Sequence, residues 1–314
     1  MPIDIEAAVT AEPPAQTLRW TERDVLLYHL SIGAGADPTA PVEQRWVNER
    51  HLQVFPSFAL VAGKGISAVS SQGPQVLPGI DVAPAKLLHA GQSLELHHPI
   101  SPNGTALITS RVTRVWDTAS AAIIEMQSAA TKENGRPWWT STARVWAGGE
   151  RGRTGTAPPP QRTVPSRPPD VVLDRKTRAD QALLYRLNGG MNPLHVDPTV
   201  ARNAGFERPT MHGLATYGIV YKALVDELLG GATEHAGSLS VRFSDFLLPG
   251  DSIRICVWIE ATELLFSATC PERGHAPVLK NGALTLAAAA RSSQADLLGQ
   301  GAIERRVDRL MSQS

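Results

Sequence analysis

The stretch Tyr185-Arg-Leu-Asn-Gly-Gly-Met-Asn-Pro-Leu-His195, continued by Thr210-Met-His-Gly-Leu-Ala-Thr-Tyr-Gly218, decides how this chain is interpreted. Asn192-Pro193 predicts a turn, because proline fixes its own φ and disfavours the helical region for the residue before it. His195 is therefore predicted on a rigid loop, which suits a side chain that takes part in chemistry.

Helices are predicted on both sides of this loop. Leu183, Leu184 and Leu187 form an apolar stripe typical of a helix, and the glycines at 189–190 stop it. A second, long apolar helix is predicted from about 212 to 229, with Gly213 in its first turn. Such a helix start exposes unpaired N–H groups and a positive dipole end. Together with an imidazole, these are the parts needed for chemistry beside a carbonyl group.

Composition narrows the class of protein. A chain of 314 residues is long enough for two domains, and a content of 42% apolar residues suffices for a sizeable core. Thirty acidic and thirty basic residues give zero formal net charge, which argues against a nucleic-acid or membrane-surface partner. The two cysteines, Cys256 and Cys270, predict neither a disulfide framework nor a zinc site. Without a signal-peptide pattern, a long apolar run or a terminal Ser-Lys-Leu, the expected location is the cytoplasm.

The chain carries signs of an internal duplication. The pattern Leu-Leu-Tyr-x-Leu occurs at 26–30 and again at 183–187. Alternating apolar and polar residues predict strands at 106–115, 121–128, 138–146, 253–259, 264–270 and 278–286. The order of helix, turn and strands thus occurs twice, which predicts an α+β protein with two similar halves. We expect an N-terminal domain over 1–150, a Pro/Arg-rich linker over 151–170, a C-terminal domain over 171–290 and a tail over 291–314.

The stretch 185–195 resembles the signature of the hydratase-2 type enoyl-CoA hydratases in the MaoC-like dehydratase family, which reads Tyr-x-Leu-(Ser/Asn)-Gly-Asp-x-Asn-Pro-Leu-His. The run His-Gly-Leu-x-Thr-Tyr-Gly at 212–218 is similar to the family's oxyanion-hole helix. The resemblance covers most of 20–288. It implies a double hot dog, in which each of two tandem antiparallel sheets wraps around a long helix. The first such helix is expected after Pro56, where it either packs on the sheet or leaves room for an acyl chain.

The resemblance also implies roles for individual residues. His195 matches the catalytic acid/base, the N–H of Gly213 matches the oxyanion donor, and Asn192 shapes the loop. Gly190 stands where the family has a catalytic aspartate, and another acid could replace it in space; the candidates are Asp197, Asp180 and Asp245. Asp197 is, however, also expected to cap a following helix. The implied substrate-binding positions are His89 and Phe243. His212 and Tyr217 are two further candidates, but His212 is also expected to cap or pack, and Tyr217 to lie in the core of its helix.

The activity implied by the resemblance is that of a hydro-lyase. A 2-enoyl thioester of CoA or of a carrier protein would be hydrated to the 3-hydroxyacyl thioester, in fatty acid or polyketide metabolism, without cofactor or metal. Two alternatives stay open, namely a non-catalytic acyl-thioester-binding homologue and a biosynthetic isomerase or cyclase that uses the same pocket. The two halves would stand alone as a monomeric pseudo-dimer or pair further as a homodimer.

Overall fold

A computed structural model of the chain describes residues 3–64, 78–83, 86–150, 156–160 and 162–287. Ten antiparallel strands in this part of the chain form one sheet. The strands are β1 (Gln16–Trp20), β2 (Leu87–Leu96), β3 (Gly104–Asp117), β4 (Ala121–Thr131), β5 (Pro137–Gly148), β6 (Val171–Lys176), β7 (Ala236–Phe243), β8 (Ser252–Glu260), β9 (Glu263–Cys270) and β10 (Ala276–Leu286). The helices are α1 (Ile5–Thr10), α2 (Glu22–Ser31), α3 (Pro41–Val47), α4 (Gln181–Tyr185), α5 (Pro198–Asn203) and α6 (Gly213–Leu228). Each of the six predicted strands is confirmed, with ends that shift by a few residues.

The sheet consists of two halves with the same strand order. The sequence of neighbours is β1-β3-β4-β5-β2 in one half, followed by β7-β10-β9-β8-β6 in the other. The halves join through β2 and β7, which pair antiparallel from Gly91 opposite Arg242 to Glu95 opposite Ser238. Reversing the second half reproduces the order of the first, so the predicted repetition is confirmed for the strands.

Helix α6 packs against the sheet and lies in the hydrophobic core. All residues of α6 from Ala215 to Asp226 are buried, as expected for an apolar helix that lies in the interior of a domain. The predicted helix over 212–229 is therefore confirmed, with His212 as the residue before its first turn. Gly213 begins the helix at an exposed position, so the start of the helix is open while its body is covered.

The N-terminal half has no comparable helix in the part of the chain that the structure describes. Instead of the expected α-helix after Pro56, two short 3₁₀ turns span Pro56–Leu60 and Ala62–Lys64. Gly63 has a φ of 67°, which breaks any helix that would run through it. The expectation of a long helix is thus wrong over 56–64, and its continuation over 65–77 lies outside the described residues.

The repeated Leu-Leu-Tyr-x-Leu motif lies where α2 and α4 pack together. Tyr28 and Tyr185, the corresponding tyrosines, have ring centroids 6.2 Å apart and are buried. The leucine stripe, however, does not face the core, because Leu183 and Leu187 are 48% and 52% exposed. Helix α4 ends after five residues, and its short buried face consists of Gln181, Ala182 and Tyr185 rather than of the leucines.

The expected linker lies between the last strand of the first half and the first strand of the second. Strand β5 ends at Gly148 and β6 begins at Val171. Between them, the described linker residues are tied to the second half by Arg167, whose carbonyl accepts a hydrogen bond from Trp258 Nε1 at 2.8 Å. The boundaries themselves stay a prediction, and the expected tail beyond residue 287 lies outside the described part of the chain.

Candidate active site

The loop that carries His195 is built by local hydrogen bonds, as its sequence predicts. A 3₁₀ turn after α4 ends at Gly189, which has a φ of 108° in the left-handed region that favours glycine. The Asn192 side chain then accepts a hydrogen bond from the Leu194 N–H at 3.0 Å. This bond caps the 3₁₀ turn Pro193–His195, so the expected loop-shaping contact of Asn192 is present.

One backbone carbonyl sets the tautomer of His195. The Nδ1 of His195 lies 2.9 Å from the carbonyl oxygen of Thr210. Because a carbonyl oxygen only accepts, Nδ1 carries the hydrogen and Nε2 carries the lone pair. Burial lowers the pKa of His195 below its usual value. His195 is therefore a neutral imidazole at pH 7, with an unprotonated Nε2 that can take a proton.

His212 lies directly against His195. The two rings stack with centroids 3.7 Å apart and planes inclined by 28°. The Nε2–H of His212 donates to the carbonyl oxygen of Gly190 at 2.9 Å. Burial, followed by the charges of His195 and Arg186, lowers the pKa of His212 to about 3. His212 is thus neutral, and its Nδ1 is buried without a hydrogen-bond partner among the described residues.

Phe243 connects the first turn of α6 to the N-terminal half of the molecule. A Cβ built on Gly213 would lie 3.3 Å from the Phe243 ring, so the glycine lets the ring approach the helix start. His89, from strand β2 of the N-terminal half, packs against Phe243 with the two ring centroids 4.8 Å apart. Its Nε2 is also buried without a partner in the described residues, and burial lowers the pKa of His89 to about 4.

The structure brings most of the predicted site residues into one connected group. His195, His212, Gly190 and Gly213 form its C-terminal part, while Phe243 and His89 extend it across the junction of the two halves. Tyr217 does not belong to this group, because it is 0% exposed and its hydroxyl donates to the Leu239 carbonyl at 3.0 Å. That placement favours the helix-core interpretation of Tyr217 over a role in binding.

The candidate replacements for the missing aspartate are occupied elsewhere. Asp197 caps α5 by accepting from the N–H groups of Thr199 and Val200, as its sequence context predicts. The Asp180 carboxylate pairs with Arg178 at 2.8 Å. The Asp245 carboxylate pairs with Arg273 at 3.2 Å. Each of these carboxylates therefore has a structural partner, and the position beside Gly190 is taken by the His212 ring.

Two features of the site were not visible in the sequence. The Thr210 carbonyl fixes the His195 tautomer, but any residue type supplies a carbonyl, so no sequence signal marks it. The stacking of His212 on His195 depends on how the loop and the helix start meet in space.

Over the described ranges, no group of three His, Cys, Asp or Glu side chains is placed to hold a metal ion. Nor does any helix there have the length and apolar character needed to cross a membrane.

Comparisons with known proteins agree with this architecture. A family model of the MaoC like domain matches residues 161–276, and one of the MFE-2 hydratase 2 N-terminal domain matches residues 18–147. The enoyl-CoA hydratase ChsH3 of Mycobacterium tuberculosis is 39% identical over 280 residues, which cover 89% of this chain and 97% of that protein. The crystal structure of a MaoC-like dehydratase from Phytophthora capsici matches with a TM-score of 0.80 and 27% identity, over 91% of this chain and 98% of that one.

A more distant match concerns the fold alone. A Mycobacterium tuberculosis protein described as having a double hotdog fold matches with a TM-score of 0.53 and 13% identity, over 87% of this chain and 93% of that one. Sheet topology and these matches define an α+β double hot-dog protein, which confirms the expected fold class. The chain belongs to the MaoC-like dehydratase family and, within it, to the hydratase 2 type. As a member of that family it is an enzyme of the hydro-lyase class.

Proposed function

We propose that this enzyme hydrates 2-enoyl-CoA thioesters to 3-hydroxyacyl-CoA thioesters and catalyses the reverse dehydration. The relatives that match both halves of the chain carry names such as enoyl-CoA hydratase and 3-hydroxyacyl-thioester dehydratase. The observation that carries the proposal is the contact between the two catalytic segments. The ring of His195 stacks on His212, and the next residue along the chain, Gly213, begins α6.

The role of Gly213 follows from its position at the helix start. Its N–H belongs to the first turn of α6, where backbone donors have no partner within the helix. Negative charge grows on the thioester oxygen when C3 is attacked, and donors at a helix start stabilise such a charge. The absence of a side chain at 213 also lets the substrate approach the backbone closely.

His195 moves the proton. Its Nε2 takes a proton from the attacking water as the oxygen of that water bonds to C3. The resulting imidazolium then gives the proton to C2, where the electron pair of the enolate forms the new C–H bond. In the dehydration direction the same nitrogen removes the C2 proton and protonates the departing hydroxyl. The hydrogen bond from Nδ1 to the Thr210 carbonyl stabilises the cationic intermediate state.

The acyl group is proposed to extend across the junction between the halves. Phe243 of β7 lies there against the helix start at Gly213, and His89 of β2 in the N-terminal half packs on Phe243. The N-terminal half has no long helix within its described residues, where short 3₁₀ turns replace it. Phe58 and Ala59 of the first turn are buried in the hydrophobic core, so the acyl chain is proposed to lie at the junction and not within this turn.

Gly190 favours a second candidate function, that of an acyl-thioester-binding homologue without turnover. The resemblance expects a carboxylate at this position, and loss of an acid/base group costs typically about 10²–10⁴-fold in rate. An isomerase or cyclase that stabilises the same enolate would also use Gly213. Both alternatives predict binding of enoyl thioesters, but neither predicts addition of water at C3.

The test is hydration of trans-2-enoyl-CoA of short and medium chain length, followed by the loss of enoyl-thioester absorbance. His195→Ala is expected to lower kcat/KM by about 10²-fold or more, whereas the control His98→Ala changes an exposed histidine and leaves activity unaltered. Binding without hydration by the unaltered chain would favour the non-catalytic alternative. Turnover of a pantetheine thioester at an unchanged KM would favour a carrier-protein substrate over CoA.

A further inference from the structure

The space beside Gly190 is not empty. A Cβ built on Gly190 would lie 3.0 Å from both Cδ2 and Nε2 of His212. The His212 ring thus occupies the region into which a side chain at position 190 would project. The backbone at Gly190 is not in the left-handed region, since no positive φ is found there. Glycine at this position is therefore explained by the room that the imidazole takes, and not by backbone strain.

His212 brings a polar atom with an unmet hydrogen bond into this space. Its Nε2–H is committed to the Gly190 carbonyl at 2.9 Å, so its Nδ1 must carry a lone pair. That nitrogen is buried, and it has no partner among the described residues, in a side chain that is only 7% exposed. A buried acceptor without a partner is uncommon and points to a water or ligand that completes it.

His195 next to it is arranged in the complementary way. Its Nδ1–H is committed to the Thr210 carbonyl at 2.9 Å, which leaves the lone pair on Nε2. Two stacked neutral imidazoles, 3.7 Å apart, therefore each keep one unprotonated nitrogen. A water molecule has two hydrogens to donate, and donation to two acceptors leaves an oxygen lone pair free for attack.

We propose that His212 Nδ1 is the second acceptor for the attacking water and replaces the carboxylate that residue 190 lacks. This inference rests on the proposed hydratase function. His195 Nε2 removes one proton of the water as the O–C3 bond forms, and the same proton passes to C2. His212 stays neutral throughout, and its Nδ1 accepts a hydrogen bond from the second O–H group of the water.

Two substitutions of similar size separate this role from a structural one. The amide of Asn reaches about as far as Nδ1 of histidine, and that of Gln about as far as Nε2. His212→Asn keeps an acceptor for the water and loses the bond to Gly190, while His212→Gln does the opposite. We expect His212→Gln to lower kcat of hydration by about tenfold or more, since one hydrogen bond in the transition state is worth that much, and His212→Asn to lose several-fold less. A larger loss for His212→Asn would show that only the bond to Gly190 matters and would overturn the proposal.

A double-mutant cycle with Gly190→Asp provides a second, independent readout. In Gly190→Asp a carboxylate supplies an acceptor, so the acceptor of His212 becomes redundant. His212→Gln is then expected to cost about tenfold in the unaltered chain but less than about threefold in the Gly190→Asp background. Equal costs in the two backgrounds overturn the proposal. Circular dichroism and thermal unfolding of each variant establish that only folded protein is compared.

Failure of this inference can be told apart from failure of the proposed function. If the unaltered chain is inactive and Gly190→Asp hydrates enoyl-CoA, the pocket is that of a hydratase but His212 does not replace the carboxylate. If neither form hydrates any enoyl thioester, the proposed function itself fails. If the unaltered chain is active and His212→Gln has no effect, the hydratase function stands and the water is held by another group.

Discussion

At the scale of single residues, burial fixes the protonation state of the histidines on which the site depends. Burial lowers the pKa of His195 below 6.5, against the opposing effect of its hydrogen bond to Thr210. The neutral form, which acts as the base, therefore persists at pH values where an exposed histidine is already charged. We expect kcat/KM for hydration to stay flat as the pH falls to about 6.5 and to decline only below it.

The pH profile of kcat/KM between about pH 4.5 and 8 checks this prediction, since it reports the ionisation of the free enzyme. The 3′-phosphate of CoA has a second pKa of about 6, so the profile is measured with an enoyl-pantetheine thioester, which carries no phosphate. Any limb then belongs to the protein. A decline that begins above about pH 6.5 would mean that His195 is more easily protonated than its burial implies.

His29 is a buried histidine that ties three segments of the N-terminal half together. Its Nδ1 lies 2.7 Å from the Trp46 carbonyl, and its Nε2 accepts from the Phe55 N–H at 3.0 Å. Burial lowers the pKa of His29 from 6.5 to about 4. Between these two pKa values the unfolded chain binds a proton that the folded protein does not. Stability is therefore full above about pH 6.5 and falls by roughly 3 kcal/mol as the pH approaches about 4.

Denaturant unfolding at several pH values tests this account of His29 against the variant His29→Leu. The variant leaves two buried backbone groups unpaired and should lose roughly 2–4 kcal/mol at about pH 7.5. Its further loss on acidification should be smaller than that of the unaltered protein, because one group no longer titrates. His89 and His212 still contribute to the pH dependence in both proteins. Parallel pH dependences would show that His29 does not contribute.

At the scale of elements, α6 packs closely on α2 because residue 218 is glycine. A Cβ at Gly218 would lie 2.7 Å from Cγ2 of Ile32 and 2.8 Å from the Tyr28 hydroxyl oxygen. Alanine favours a helix by about 1 kcal/mol over glycine, but here the overlap with α2 dominates. We expect Gly218→Ala to destabilise the protein by about 1–3 kcal/mol in denaturant unfolding. A gain in stability would mean that α2 and α6 are further apart.

A buried group of charges joins α6 to α3. Lys222 Nζ lies 2.6 Å from both a Glu43 and an Asp226 carboxylate oxygen, and each of the three residues is at most 9% exposed. Lys222 is therefore held in the interior by two carboxylates and does not lie on a solvated face of the helix. The interior position of α6 leaves this lysine no route to the surface.

Removing the cation of this group should be costly. In Lys222→Met two carboxylates remain buried without a counter-ion, so we expect a loss of about 3–5 kcal/mol in the free energy of unfolding. The control is Lys176→Met, which breaks an exposed pair with Glu272 and should cost less than about 1 kcal/mol. Equal effects of the two substitutions would contradict the burial of the Lys222 group.

At the scale of the whole molecule, features that follow from local sequence patterns could be predicted, whereas features that depend on tertiary packing could not. Strands with alternating residues, the long apolar helix and the stop at Gly189 follow from short-range rules, and they were found where expected. The segment after Pro56 failed because its apolar residues fit a helix and a packed turn equally well. The prediction that Leu183 and Leu187 form an apolar stripe failed, because a five-residue helix buries only a small face. The contact of His212 with Gly190 needs two segments to meet, which no local pattern encodes.

The two halves share one interior, so we expect them to unfold together. A single hydrophobic cluster includes Trp139 of the N-terminal half and Leu224 and Phe266 of the C-terminal half, and backbone hydrogen bonds join β2 to β7. Of the seven tryptophans, only Trp258 lies in the C-terminal half. Tryptophan fluorescence therefore reports mainly on the first half, whereas the helical circular dichroism signal draws on α6 of the second.

Unfolding in urea, followed by both signals, distinguishes one cooperative structure from two. Coincident midpoints and slopes are expected, because neither half can lose its sheet without exposing the face of α6 and the edge of β2 or β7. A fluorescence transition that precedes the loss of helix would mean that the N-terminal half opens first. In that case the junction at His89 and Phe243 would be lost, together with the acyl site proposed there, while the His195 loop remained folded.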